Sequence, residues 1–141
     1  ARHVDLLVGV APIINLEWMQ KINRDRLVRG YSRKGAMEMI LSRLPDYSKY
    51  ICPQFSLTDA NLQRIPLLDS SNPFSDTEVP SNTESLFLLN IKTISIDLKK
   101  INQLIPGSML SSPTTIITPG ASLKDLLIHV FTPVINRLVS N

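Results

Sequence analysis

Lys21, Arg24, Asp25 and Arg29 are the residues of this chain whose types and spacing suit a reaction. At about 100° per residue they fall on one stripe of a helix. Arginine forks clamp phosphate oxygens, lysine supplies a movable point charge, and a carboxylate can hold a metal or orient the guanidinium groups. Such a set serves phosphoryl transfer, where catalysis is mostly positioning and charge neutralisation. Between Lys21 and Lys34 there are six basic residues against a single acid. The same spacing also suits a solvated helix face on which Asp25 pairs with Lys21 and Arg29. Spacing alone leaves both readings open.

The other polar residues are weaker candidates. His3 and His129 stand far apart without ligand spacing, which favours structural roles. Cys52, beside Pro53, reads as a small buried residue, since no neighbouring base marks it as a nucleophile. Asp46, Asp59 and Asp69 could each act on a proton, but nothing local singles one out. Pro119-Gly120 reads as a plain turn, with an anion-binding turn as the alternative. No Walker-type glycine loop occurs in the sequence, so any ATP phosphate cradle lies elsewhere.

Several elements must position the stripe. Val4 to Val10 is a nearly continuous apolar run, as in a central strand of a parallel sheet. A helix follows over about 15–30, the basic segment lying on it and Gly30 ending it. Ser32 caps a second helix, Arg33 to Leu44, with Ala36, Met37, Ile40 and Leu44 at helical spacing and Pro45 closing it. Tyr50 to Phe55 reads as a strand. The stretch from about 66 to 83 holds thirteen Pro, Ser, Thr, Asn or Asp among 18 residues, which predicts a long loop of functional interest. Ser85 to Lys92 and Thr114 to Thr118 read as strands, and Asp97 to Ile105 as a short helix. Leu123, Leu126, Leu127, Val130, Val134, Ile135 and Leu138 line a C-terminal amphipathic helix. Strands alternating with helices make this an α/β layered fold, one unit over residues 1–141.

Composition bounds the function. A formal charge of +3 over 141 residues is too mild for a nucleic-acid binder. The apolar stretch Leu6 to Leu16 is shorter than the roughly 20 residues that span a bilayer, which argues against membrane association. One cysteine excludes an internal disulfide and fits a reducing compartment. The chain opens at Ala1 almost directly in a strand pattern, so we expect an N-terminal part of a longer protein to precede it.

Lys21-Ile-Asn-Arg24-Asp25-Arg-Leu-Val-Arg29-Gly30 resembles the basic segment that follows a strand in the phosphoribulokinase and uridine kinase family of P-loop kinases. Pro53 to Pro66 (PQFSLTDANLQRIP) and Asp69-Ser-Ser-Asn72-Pro73-Phe74 resemble the bacterial type of phosphoribulokinase. So do Val4 to Gln20 and Phe131-Thr-Pro-Val-Ile. The resemblance spans the whole chain, matched to the C-terminal half of such an enzyme. It implies the C-terminal part of a P-loop kinase-like sheet with flanking helices, the P-loop and catalytic base lying upstream.

The implied activity is transfer of the ATP γ-phosphoryl group, with Mg2+, to ribulose 5-phosphate in carbon fixation (the Calvin cycle). The implied setting is a cytoplasmic, bacterial homo-oligomer. Residue by residue, the resemblance makes Lys21 and Asp25 catalytic, Asp25 lying near the metal. It makes Arg24 and Arg29 ligands of the ribulose 5-phosphate phosphate. Arg43 matches one of two adjacent arginines in the family, the other position being Ser42 here. Many relatives are activated by NADH through arginines at positions matched here by Asn90 and Ser112, which cannot clamp a phosphate as guanidinium does. A uridine kinase-like enzyme, or a non-catalytic relative kept for assembly or regulation, are the alternatives.

Overall fold

The computed structural model describes residues 4–11, 13–75 and 77–140. His3 lies outside them. The chain builds a five-stranded sheet and four helices, a mixed α/β fold. Strands β1 (Val8–Val10), β2 (Ala60–Pro66), β3 (Ser85–Ile91), β4 (Met109–Ser112) and β5 (Thr115–Pro119) lie in the order β1-β2-β3-β5-β4. Only β1 and β2 pair in parallel; the remaining pairs are antiparallel. The α/β class expected from the sequence holds, but the sheet of this chain is mixed rather than parallel.

Alternation explains β3. Ser85, Phe87, Leu89 and Ile91 are buried while Leu86, Leu88 and Asn90 stand half-buried on the other face. Helix α3 (Leu98–Leu104) and helix α4 (Leu123–Val139) cover the buried face, bringing Leu98, Ile101, Leu126 and Val130 onto it. Leu126, Val130 and Val134 recur every fourth residue, so one stripe of α4 carries the contact. Gly120 enters α4 through a close approach: a Cβ there would collide with the Asn82 carbonyl oxygen, so the glycine lets the loop end pass. Among the described residues no helix is long and apolar enough to cross a membrane.

Several expected elements come out differently. Of Val4 to Val10, only the last three residues pair, and they pair on one side, leaving Val10 64% exposed. The run is apolar as a central strand would be, yet it sits at the edge of the strands described. Helix α2 (Arg33–Asp46) is not closed by Pro45, which lies inside it. A π turn (Tyr47–Ile51) and a 3-10 turn (Cys52–Leu57) continue the helical path. Proline lacks the N–H of the helical ladder, and a widened turn just beyond it absorbs the misfit. Tyr50 to Phe55 is therefore helical and not a strand: Pro53 is the second residue of the 3-10 turn, in its first turn, where its fixed φ is tolerated. Cys52 is exposed rather than buried. Strands β2 and β4 are additions that the apolar runs did not mark.

Candidate active site

Helix α1 (Ile14–Leu27) supports the site. Its buried residues are Leu16, Met19, Ile22 and Asp25, each three positions after the last. Each three-residue step turns the direction by about 60°, so the buried positions wind round the helix and Asp25 lies nearest Ile22. Ile22 meets Ala36 and Ile40 of α2, with Trp18, Met37 and Phe74 packed around them. Ser32 accepts a hydrogen bond from the Gly35 N–H at 3.1 Å and caps α2, as its type and position predict.

Asp25 has no exposed surface, and three cations meet it. Lys21 Nζ lies 2.9 Å from Oδ2, while Arg24 Nη2 and Arg29 Nη1 each lie 3.2 Å from Oδ1. Lys21 and Arg29 stand four residues before and after the acid, the spacing that stacks side chains along a helix. Arg29 lies past the end of α1, where Gly30 takes φ +70° and the Tyr31 N–H returns to the Asp25 carbonyl at 3.1 Å. That turn folds the Arg29 side chain back over the helix end.

Burial would push the Asp25 carboxyl up. The hydrogen bonds from Lys21 and Arg24 and the charges of both cations outweigh it, so the group is held below its ordinary 3.8. Asp25 is therefore a permanent anion at neutral pH. The guanidinium side chains stay accessible, 52% for Arg24 and 51% for Arg29, and can meet a ligand.

The structure thus brings Lys21, Arg24, Asp25 and Arg29 together. The pairings of a plain helix face are present, with the acid at their centre buried beneath the cations. Arg43 does not touch Asp25. It lines, with Lys21, a cavity of about 180 Å³ between α1 and α2. Glu17, Trp18 and Tyr47 share that lining. Glu17 and Tyr47 are residues that sequence reasoning passed over, although Glu17, Lys21, Asp25 and Arg29 alternate in sign at four-residue steps. Tyr47, at the start of the π turn, shares that lining with Glu17, and burial, then the neighbouring Glu17 carboxylate, push its phenol up to about 12.

The long loop closes over this pair of helices. Asn15 Nδ2 donates to the Ser70 carbonyl at 3.0 Å, and Arg33 Nη2 to the Phe74 carbonyl at 2.9 Å. Phe74 lies against Trp18 with ring centroids 5.6 Å apart. The remaining acids have other work. Asp59 is buried, accepting from the Leu7 N–H at 2.8 Å and from the Thr93 hydroxyl. Asp69 accepts the Ser71 N–H in a local turn. His129 is exposed on α4.

A divalent cation does not fit these residues as direct ligands. Both Asp25 oxygens are engaged by cations, and among the described residues no three His, Cys, Asp or Glu side chains converge. What the cluster can do is bind and orient an anion: two half-exposed guanidinium groups and an ammonium, fixed by one carboxylate that does not titrate near neutrality.

Comparison with known proteins gives the family. A sequence model of the Phosphoribulokinase / Uridine kinase family matches residues 1–71. A phosphoribulokinase of Rhizobium meliloti is 46% identical over 140 residues, 99% of this chain and 48% of that protein. The chromosomal phosphoribulokinase of Cupriavidus necator is 42% identical over the same share of each. The solved phosphoribulokinase from Rhodobacter spheroides superposes with a TM-score of 0.89 at 41% identity, covering 97% of this chain and 50% of that one. The chain spans about half the length of the curated relatives it matches.

Proposed function

This chain belongs to the Phosphoribulokinase / Uridine kinase family, and from that premise we propose that it is the C-terminal part of a bacterial-type phosphoribulokinase. The enzyme transfers the γ-phosphoryl group of ATP, supplied with Mg2+, to the 1-hydroxyl of ribulose 5-phosphate. The products are ribulose 1,5-bisphosphate and ADP. The observation that carries the reading is the burial of Asp25 among Lys21, Arg24 and Arg29.

The roles follow from exposure and charge. Arg24 and Arg29 turn accessible guanidinium groups outward and bind the phosphate of ribulose 5-phosphate, with Arg43 adding a cation from α2. Lys21, flexible and single-charged, neutralises charge on the phosphoryl group in transit. Asp25 is the anion that keeps these cations in place before substrate arrives, so no reorganisation is needed at the moment of transfer. Mg2+, when bound, would supply charge neutralisation at the ATP phosphate oxygens. The nucleotide cradle and the catalytic base belong to the preceding part of the protein, and residues 1–141 alone are inactive.

A coupled assay on the full-length protein, with ATP and ribulose 5-phosphate, tests the reading. Turnover dependent on both substrates supports it. Turnover of uridine instead would move the chain to the other branch of its family, and no turnover of either would leave a non-catalytic relative.

A further inference from the structure

The loop between β2 and β3 spends polar side chains on fixing its own backbone. Asp69 Oδ1 accepts the Ser71 N–H at 2.9 Å, and Asn72 Oδ1 accepts the Phe74 N–H at 3.1 Å. The Asn72 carbonyl accepts the Ser75 N–H at 3.1 Å, and the ring of Pro73 fixes the φ between Asn72 and Phe74. The base of the loop is tied to the sheet. Arg64 of β2 donates to Ser85 Oγ at 2.9 Å and to the Pro80 carbonyl, and the Leu67 N–H donates to the Glu84 carbonyl at 2.8 Å. A long loop with this much bonding has a defined shape to deliver.

Its tip is delivered to two helices at once. Asn15 of α1 holds the Ser70 carbonyl, and Arg33, the first residue of α2, holds the Phe74 carbonyl. The Phe74 ring packs on the Ile22, Ala36 and Ile40 cluster, its plane tilted 35° from that of Trp18 at 5.6 Å. That separation lies in the favourable range for a ring pair. Trp18 in turn lines the α1–α2 cavity with Lys21 and Arg43. Lys21 comes from α1 and Arg43 from α2, so the gap between these cations is set by how one helix packs on the other. Phe74 enters that packing from outside both helices.

We propose that Phe74 is a positioning residue for the phosphorylated acceptor: held at its carbonyl by Arg33, it seats the Trp18 ring and so fixes the spacing at which Lys21 and Arg43 meet the sugar phosphate. The assignment rests on the functional reading above and deepens it. Displacing a positioning group by about 1 Å can cost about 10²-fold, even when the change is made away from the chemistry.

The test is steady-state kinetics of the full-length protein and its Phe74→Ala and Phe74→Leu variants, with Phe131→Ala as control. Phe131 is half-buried against the apolar layer behind β3, so its loss is a packing loss remote from the cavity. In Phe74→Ala the KM for ribulose 5-phosphate rises about tenfold, turnover falls less, and the KM for ATP does not move. Phe74→Leu keeps apolar bulk without the ring, shows a smaller rise, and carries the test if Phe74→Ala does not fold. Phe131→Ala lowers the melting temperature and leaves the acceptor KM in place. The Trp18 emission, taken as the difference between each protein and the same protein carrying Trp18→Phe, moves to the red in Phe74→Ala.

An unchanged acceptor KM in both Phe74 variants, or a Trp18 emission that stays put, would reduce Phe74 to a cover over the apolar cluster. Equal rises for ATP and acceptor, or an equal rise in Phe131→Ala, would likewise overturn the proposal. Wild-type failure on ribulose 5-phosphate, with turnover of another phosphorylated acceptor, would sink the functional reading instead; the same variants are then scored on that acceptor.

Discussion

Behind β3 the chain buries Phe87, Leu89 and Ile91 against Leu126 and Val130 in an apolar layer. Between α1 and α2 it buries, among the described residues, Ile22, Ala36 and Ile40, and one turn beyond Ile22 helix α1 buries Asp25. The first region is a continuous hydrophobic layer, in which burying a large aliphatic side chain is worth about 1.5–3 kcal/mol. The second has fewer such residues, and the overlying loop adds the Phe74 ring and two hydrogen bonds to it. The sheet and α4 are built to hold shape. The α1–α2 pair is built to hold charge in place, at some expense in packing.

Substitutions can break this contrast. The largest effect is expected at Leu89, which has no exposed surface at the centre of β3. Leu89→Ala should lower the unfolding free energy of the full-length protein by about 2–5 kcal/mol, while the KM values of the surviving folded fraction stay put. Denaturant titration and kinetics on one preparation measure both, and a changed KM would mean the regions are not separable.

Asp25→Asn should do the reverse. Turnover should fall roughly 10²–10³-fold or more, as when a preorganised charge is removed from a transfer site. Because Asp25 is buried and not on an open polar face, some thermal stability should go with it, but less than for Leu89→Ala, since its cations can turn to water. Calorimetry beside a turnover assay decides this. Near-wild-type turnover would leave Asp25 a structural acid.

Arg29→Ala should mainly raise the KM for ribulose 5-phosphate, by about tenfold, with a smaller effect on turnover. Equal losses in KM and turnover would instead assign Arg29 to the transition state.

Acid should separate the regions as well. The Asp25 carboxyl is held below 3.8 in the folded chain, so its stabilising contribution is complete above 3.8 and is lost as pH falls through the lower folded-state value. Melting curves of wild type and Asp25→Asn should stay a constant distance apart from neutrality to about pH 5, then converge in stronger acid. Convergence already near pH 6 would show that the ion pairs do not hold Asp25 down.

The smallest expected effect is none. Asn90 Nδ2 donates to Thr115 Oγ1 at 2.8 Å, and Ser112 pairs with Thr115 across the neighbouring strands. These are the positions where relatives responding to NADH are expected to carry arginines, and both are neutral and one is already bonded. NADH added at limiting ribulose 5-phosphate should leave the rate unchanged, and a large activation would overturn the residue matching.

Much of the α1 site was legible. Lys21, Asp25 and Arg29 stand at four-residue steps, so a helix had to bring them together whatever surrounded it. The burial of Asp25 was not read, because charge suggests solvent and the three-residue steps from Leu16 to Asp25 do not keep to one helix face. Pro45 misled, since proline usually ends a helix, and only the π turn beyond it shows how the path continues. Tyr50 to Phe55 misled for a related reason: apolar residues beside a proline look like an edge strand, but here Tyr50 and Ile51 face outward from a helical turn. Ala60 to Pro66 was recognised as a family stretch but not as a strand, although Ala60 and Leu62 alternate with Asn61 and Gln63 as a strand requires. Glu17 and Tyr47 could not be joined without the fold that folds one back onto the other.

Three cations around one carboxylate leave the Asp25 cluster with a surplus of two positive charges, carried by accessible side chains. A phosphomonoester dianion brings the matching two negative charges. Capture of the acceptor is then largely a neutralisation across a few ångströms of partly open surface, which dissolved ions compete with. The Debye length shrinks from about 10 Å at 0.1 M to about 3 Å at 1 M. Apparent affinity for the sugar phosphate should therefore weaken steadily as ionic strength is raised, while the apolar layer behind β3 is indifferent to it. On the proposed reading, the cluster makes the grip on a sugar phosphate a function of the salinity of its surroundings.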